Sequence, residues 1–228
     1  MKKVNVNTSR IKRVAILGIL FLLAISSMGM FFTDKVSTVA PIILTNNSTG
    51  VIEGYDYEFW TDVNKGSPEN KAMMILTGGG SFISDYDTSN NKNTLMRTGK
   101  KFDSRKTHNQ VGEITISYDV DYYPGEHGGS YMCVYGWARN DNNAPLVEFY
   151  IVESWGIWRP PGDRGSLGIV TIGGIEYEIF ETARVNQPSI YGNTTIKQYW
   201  SIPTLKTVNG NNQELSNVSA QCKAWEEK

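Results

Sequence analysis

The sequence predicts an all-β domain, a sandwich or jelly roll, and three observations carry that prediction. From about residue 50 onward, apolar and polar residues alternate with period two, as they do in strands that bury one face. Turn-forming groups interrupt the alternation at short intervals: Pro124-Gly125, Asn140-Asp141-Asn142, Pro160-Pro161-Gly162, Gly173-Gly174 and Asn209-Gly210. Aromatic residues make up 11% of the chain and glycine occurs 22 times, a balance that favours strands and turns over helices. A length of 228 residues suits one domain with a short extension.

The elements follow in order along the chain. Lys2, Lys3, Arg10, Lys12 and Arg13 precede a charge-free apolar run over 14–25 that continues weakly to residue 32. A basic region followed by an apolar run is the pattern of a secretory signal, so residues 1–32 are expected to direct export to the extracellular space. The run is also almost long enough to cross a bilayer, which leaves an uncleaved membrane anchor as the alternative. Thr38-Val39-Ala40 offers a small-residue cleavage site, and residues 33–50 read as a linker. Strands are predicted over 112–122, 130–137, 146–154, 168–172, 175–183 and 194–202, and one short helix begins within 220–228.

Composition narrows the function. The 22 Lys and Arg nearly cancel the 23 Asp and Glu, so there is no basic surface of the kind that nucleic acid requires. The two histidines, His108 and His127, lie in polar segments that read as loops, and no His/Cys spacing suits zinc. No metal or cofactor is expected. Chemistry, if present, rests on carboxylates and aromatic rings. Cys133 and Cys222 can pair in an oxidising compartment or remain two buried thiols, and the sequence leaves both open.

Strand parity gives the first functional information. On the strand over 130–137, Tyr131, Cys133, Tyr135 and Trp137 share a face, because successive side chains point to opposite sides. On the strand over 146–154, Glu148, Tyr150 and Val152 share one face, while Phe149, Ile151 and Glu153 share the other. A mid-strand carboxylate beside tyrosines is an unusual way to fill a core and suggests a polar, aromatic groove. Sugar rings stack their C–H faces on Tyr and Trp and hydrogen-bond to phenols, amides and carboxylates. The competing reading is that these rings are ordinary cross-strand pairs.

Several strings tie the chain to a known group: Tyr135-Gly136-Trp137; Pro145-Leu-Val-Glu-Phe-Tyr-Ile-Val-Glu-Ser-Trp-Gly156; Trp158-Arg159-Pro160; Glu181-Thr-Ala-Arg-Val-Asn-Gln-Pro-Ser-Ile190; and Gln198-Tyr199-Trp200-Ser201. In this order and spacing they resemble the family 11 glycoside hydrolases, which are endo-β-1,4-xylanases. The resemblance runs from about Tyr57 to Trp225. It implies a jelly-roll β-sandwich over 51–228, with two twisted antiparallel sheets and one short helix near the C-terminus. It also implies xylan as the partner, a monomer, and hydrolysis with retention of anomeric configuration.

Residue by residue, the resemblance makes Glu148 the catalytic nucleophile, with Tyr135 and Tyr150 as cleft tyrosines that hold the sugar and steer the nucleophile. It makes Trp60 a stacking platform, Arg184 and Gln198 polar cleft residues, and Pro188 part of a hairpin tip with Ser189, Ile190 and Gly192. Asn93 resembles the residue beside the general acid, although Tyr86 replaces a common tryptophan before it. Structural alternatives accompany these roles: Arg184 can serve only to counter a carboxylate, and the rings can serve only to pack. Glu153 reads as structural.

Retaining hydrolysis needs two carboxyl groups, and in the resembled family the second stands on a late strand in a string like EGYQSSG. No such string occurs in 1–228, which ends at Ala224-Trp-Glu-Glu-Lys228. The final strands and the general acid/base are therefore expected to be missing. A polysaccharide-binding sandwich that cuts nothing is the alternative function, and a membrane-tethered structural β-domain is a weaker third.

Overall fold

The structure, a computed structural model, describes residues 39–62, 70–88, 93–125, 128–138, 146–206 and 214–228. The signal-like segment 1–32, His127 and the Asn140-Asp141-Asn142 and Asn209-Gly210 turns lie outside these residues.

Strands dominate. The N-terminal half contributes β1 (Ile42–Leu44), β2 (Ser48–Ile52), β3 (Tyr55–Thr61), β4 (Asn70–Gly78), β5 (Ser81–Thr88) and β6 (Thr94–Gly99). They form two three-stranded groups, β1-β4-β5 and β2-β3-β6, all pairs antiparallel. Alternation decides the packing: Ile52 and Phe59 from one group meet Met74 and Leu76 from the other, with Leu44 and Met96 packed around them. The β2–β3 turn places Glu53 (φ 46°) and Gly54 (φ 79°) in the left-handed region, the paired geometry whose twist suits a two-residue hairpin. Part of the stretch expected to be a linker is therefore strand. Ile42–Leu44 pairs with β4 and sets Leu44 against the core, and the residues from Ser48 pair with β3.

The second half contains the short helix α1 (His108–Val111), then β7 (Thr115–Tyr118), β8 (Tyr131–Ala138), β9 (Leu146–Trp155), β10 (Ser166–Ile172), β11 (Ile175–Ser189), β12 (Gly192–Pro203), β13 (Glu214–Asn217) and the helix α2 (Val218–Glu226). Five strands make one sheet in the order β10-β11-β12-β9-β8, antiparallel except where β12 meets β9 in parallel. β13 pairs with β7. One face of the five-stranded sheet is closed by α2: Ile151, Tyr177 and Ile179 pack against Val218 and Trp225. The opposite face carries Tyr150, Val152, Phe180, Trp200 and Ile202. This face holds the candidate site.

Among the described residues the strands hydrogen-bond in four groups. One position differs from the sequence expectation. His108, read as a loop residue, stands in α1, where its Nε2 lies 2.8 Å from Glu226 Oε1 on α2. The helix starts there because Gln110 Oε1 accepts the Thr107 backbone N–H at 3.0 Å, half of a Thr-x-x-Gln capping box. Cys133 and Cys222 are free thiols. They pack on opposite faces of the five-stranded sheet, Cys133 with the Tyr150 cluster and Cys222 with the Trp225 cluster.

Candidate active site

Glu148 sits near the start of β9 between two strands that deliver its partners. The register sets Gln198 of β12 beside it on one side and Trp137 of β8 on the other, with Tyr135 opposite Tyr150 one step along. The carboxylate is buried, only 3% exposed, and both its oxygens are engaged. The Tyr135 hydroxyl donates to Oε1 at 2.7 Å, and Gln198 Nε2 donates to Oε2 at 2.6 Å. A buried carboxylate without such donors would be strongly disfavoured. Here two neutral donors on separate oxygens fix the direction in which it points.

Gln198 is itself held. The Thr182 hydroxyl donates to Gln198 Oε1 at 2.9 Å and accepts the indole N–H of Trp200 at 3.0 Å. An indole N–H can only donate and a carboxylate can only accept. The sequence of bonds from Trp200 through Thr182 and Gln198 to Glu148 therefore has one direction, which decides which end of the amide faces the carboxylate.

Rings line the surface around the carboxylate. Tyr150 stacks on Trp200 with centroids 3.8 Å apart and planes at 5°. Tyr135 lies 5.0 Å from Tyr150, and Tyr131 meets Tyr150, Trp200 and Trp158 at 6.1, 6.1 and 6.2 Å. Burial raises the Tyr135 phenol well above its ordinary value, and the charge of Glu148 raises it further. Burial raises Tyr150 as well, followed by its neighbour Tyr131 and then Glu148. Both phenols stay protonated and keep their donor hydrogens. The Arg97 guanidinium of β6 lies 4.8 Å over the Tyr135 ring and is ion-paired with Glu58 of β3, linking the smaller sheet to the site.

The structure brings together four of the residues expected from sequence: Glu148, Tyr135, Tyr150 and Gln198. Arg184 lies beside them, in a recess of about 260 Å³ that it lines with Gln198, Trp200, Thr182, Trp158 and Arg164. It does not bond Glu148, and its guanidinium donates to Gln187 Oε1 at 3.3 Å. Pro188 is exposed near the tip of the β11–β12 hairpin, opposite Asn193. Trp60 is 40% exposed on β3, on the same face as Glu58. Asn93 precedes β6, where its backbone N–H donates to Asp62 Oδ1 at 2.5 Å and its carbonyl accepts from Asp62 N at 3.1 Å. Among the described residues it makes no bond to Glu148, Tyr135 or Gln198. Sequence reasoning missed Thr182 and Arg97. Only the pairing of Thr182 with Gln198 reveals the first, and only the approach of β6 to β8 the second.

The sequence pattern of the family described as "Glycosyl hydrolases family 11" matches residues 52–228. The chain is 43% identical over 217 residues to "Endo-1,4-beta-xylanase A" of Thermoclostridium stercorarium, covering 95% of this chain and 30% of that protein. It is 48% identical over 181 residues to a "Bifunctional xylanase/deacetylase" of Pseudobutyrivibrio xylanivorans, covering 79% and 27%. It is 45% identical over 183 residues to "Endo-1,4-beta-xylanase A" of Bacillus pumilus, covering 80% and 72%. The chain thus spans less than a third of the length of the first two relatives. The solved family 11 xylanase of Neocallimastix patriciarum superposes with a TM-score of 0.69 at 32% identity, covering 82% of this chain and 84% of that one.

Proposed function

The chain belongs to glycosyl hydrolase family 11, with the all-β jelly-roll fold of that family, and from that membership we propose that it hydrolyses internal β-1,4 bonds of xylan with retention. The observation that carries the reading is Glu148, a buried carboxylate held by Tyr135 and Gln198 in the same face as the stacked rings of Tyr150 and Trp200.

In the first step a Glu148 oxygen attacks the anomeric carbon. The bond to the leaving sugar oxygen breaks, and that oxygen takes a proton from a second carboxyl group, which retaining chemistry sets about 5–5.5 Å away. Water then cleaves the glycosyl ester and returns the proton. Rigid placement of the carboxylate supplies orientation before the reaction, which is where such sites gain much of their rate. Tyr150, stacked on Trp200, packs beside the carboxylate and stiffens the face that holds it.

The proton donor is assigned to neither Glu153 nor Glu58. Glu153, the other buried carboxylate, turns toward the helix side, where the Tyr177 hydroxyl approaches its Oε2 at 3.5 Å. Glu58 is occupied by Arg97. Trp60 and the hairpin bearing Pro188 would hold more distant sugars of the same polymer. The basic-then-apolar start over residues 2–25 supports export, which would bring the enzyme to an extracellular polymer too large to enter a cell. The chemistry needs only carboxyl groups and sugar-binding side chains, so a monomer acting without metal or cofactor suffices.

The test is release of dinitrophenolate from dinitrophenyl β-xylobioside, whose leaving group needs no proton donor, by the whole chain, with the product anomer read by NMR. The Glu148→Gln variant should lose at least about 10³-fold in release, as expected when a nucleophile is removed, while still binding xylo-oligosaccharides. Binding by the unaltered chain with no release at all would defeat the hydrolytic reading.

A further inference from the structure

The outer face of the β1-β4-β5 group carries an apolar row that the cleft chemistry does not use. Pairing sets Ile43 beside Ile75 and Ile75 beside Ile83, one isoleucine from each strand. Leu44, Met74 and Leu76 alternate with them and fill the core shared with β2 and β3, so the isoleucine row points the opposite way. Ile43 is 63% and Ile83 58% exposed, with the half-buried Ile75 between them and Met73 next along β4. Side chains directly opposite on paired strands touch, so this is one continuous patch rather than scattered exposure. Lys71 opposite Asp87, and Asp85 opposite Met73, give the patch a polar rim.

The neighbouring stretch of chain points to what covers it. β1 is the first strand, and ten residues, 33–42, separate Ile43 from the charge-free run over 14–32. Fully extended, that connection reaches at most about 40 Å, so whatever holds the run keeps this sheet close by. A segment folded over a sheet needs one apolar and one polar face. Residues 14–25 are apolar throughout, the character of a segment surrounded by lipid.

We propose that the run stays attached as a membrane anchor and that the outer face of β1-β4-β5 rests on the bilayer, with Ile43, Ile75 and Ile83 in its interfacial layer. Three isoleucines alone would hold lipid weakly, since even a whole myristoyl chain binds only marginally. The tether raises their effective concentration at the surface and makes the contact persist. With one lysine against two aspartates on this face, apolar insertion rather than charge drives the contact. β3 and β6, which carry Glu58 and Arg97, lie across the core from the docked face, so docking does not cover them. Contact with lipid is independent of what the cleft cuts.

The test places the full chain in phosphatidylcholine vesicles whose acyl chains carry a nitroxide quencher. A fluorophore is attached at Ser81→Cys, two residues from Ile83 on the same face of β5, or at Asp163→Cys, exposed in the turn beside Trp158. Cys133 and Cys222 are held as protonated thiols by burial and do not compete for label. Emission at 81 should fall roughly twofold or more relative to vesicles without quencher, with little change at 163, and added salt should leave both unaltered. Ile43→Asn together with Ile83→Asn, both at exposed positions, should remove most of the quenching at 81. Equal quenching at the two positions, quenching at 81 that survives the double substitution, or its loss in high salt overturns the docking. An exported protein whose first residue, read by mass spectrometry, lies beyond position 32 overturns the anchor and the proposal with it.

Discussion

Gln198 has nearly the same shape either way round but opposite chemistry at its two ends, and the site works only if nitrogen faces Glu148. What chooses the orientation is Thr182, whose proton goes to Gln198 Oε1 because its oxygen is already accepting from Trp200. In Thr182→Val the shape is kept and the proton is lost, so the amide is free to turn its oxygen toward the carboxylate. A lost hydrogen bond of about 1–1.5 kcal/mol corresponds to roughly a five- to tenfold fall in kcat. KM should change less, because Thr182 acts on the carboxylate through Gln198. Thr182→Ser should restore most of the rate. Steady-state kinetics of the three proteins check this, and a Ser variant as slow as the Val variant would show that Thr182 matters only for packing. The sequence reveals the ends of this relay but not its middle. Glu148 is conspicuous as a carboxylate among apolar residues, and Gln198 through its motif. Thr182 is one threonine among many until β11 is registered against β12.

At the level of elements, the strands of the five-stranded sheet were the most legible part of the chain, because alternation and turn residues mark both their faces and their ends. Gly136, in mid-strand, has a cause that only the structure shows: a Cβ there would come within 2.5 Å of the Phe149 ring, so the side chain must be absent for the ring to sit where it does. Other elements were hidden: no individual strand is predicted before residue 112, where β1 to β6 stand, nor at β13. β1 is three residues long, too short for alternation to show, and α1 is a single turn whose only signal is its cap. Parity also settles the cysteines, which the sequence left open. Cys133 belongs to β8 on the cleft face and Cys222 to α2 on the other, so the sheet separates them. Burial raises Cys133 to about 12 and Cys222 to about 11. A thiol raised in this way is almost wholly protonated at pH 8, and the thiolate is the reactive form. Ellman's reagent at pH 8 should therefore label neither cysteine in the native protein and both in denaturant. Rapid labelling of either one in the native protein would contradict its placement.

For the molecule as a whole, the question is how the back of the sheet, covered by α2, bears on the cleft at its front. Trp225 is the main tie. It packs on Phe149 and Tyr199 with centroids 5.6 and 5.9 Å away, and its indole N–H donates to Ser201 Oγ at 2.8 Å. Phe149, Tyr199 and Ser201 alternate along β9 and β12 with Glu148, Tyr150, Gln198 and Trp200, so the same backbone that anchors the helix presents the site. Trp225→Ala removes a large buried ring and should cost about 3–5 kcal/mol. In a chain of this size that is a fall of roughly 6–20 °C in Tm. Trp225→Phe keeps most of the contact and loses the hydrogen bond, worth about 1 kcal/mol. Its melting point should therefore fall several times less than that of the Ala variant. The strand ladders, rather than the helix, hold the front-face register, so the affinity of folded Trp225→Phe for a xylo-oligosaccharide should stay within about threefold of the parent, a difference of roughly 0.7 kcal/mol. Thermal melts and calorimetry decide both points. Equal destabilisation by Ala and Phe would assign the tie to the Ser201 bond instead of to packing, and a large loss of affinity in the Phe variant would mean that the helix, and not the sheet alone, sets the cleft.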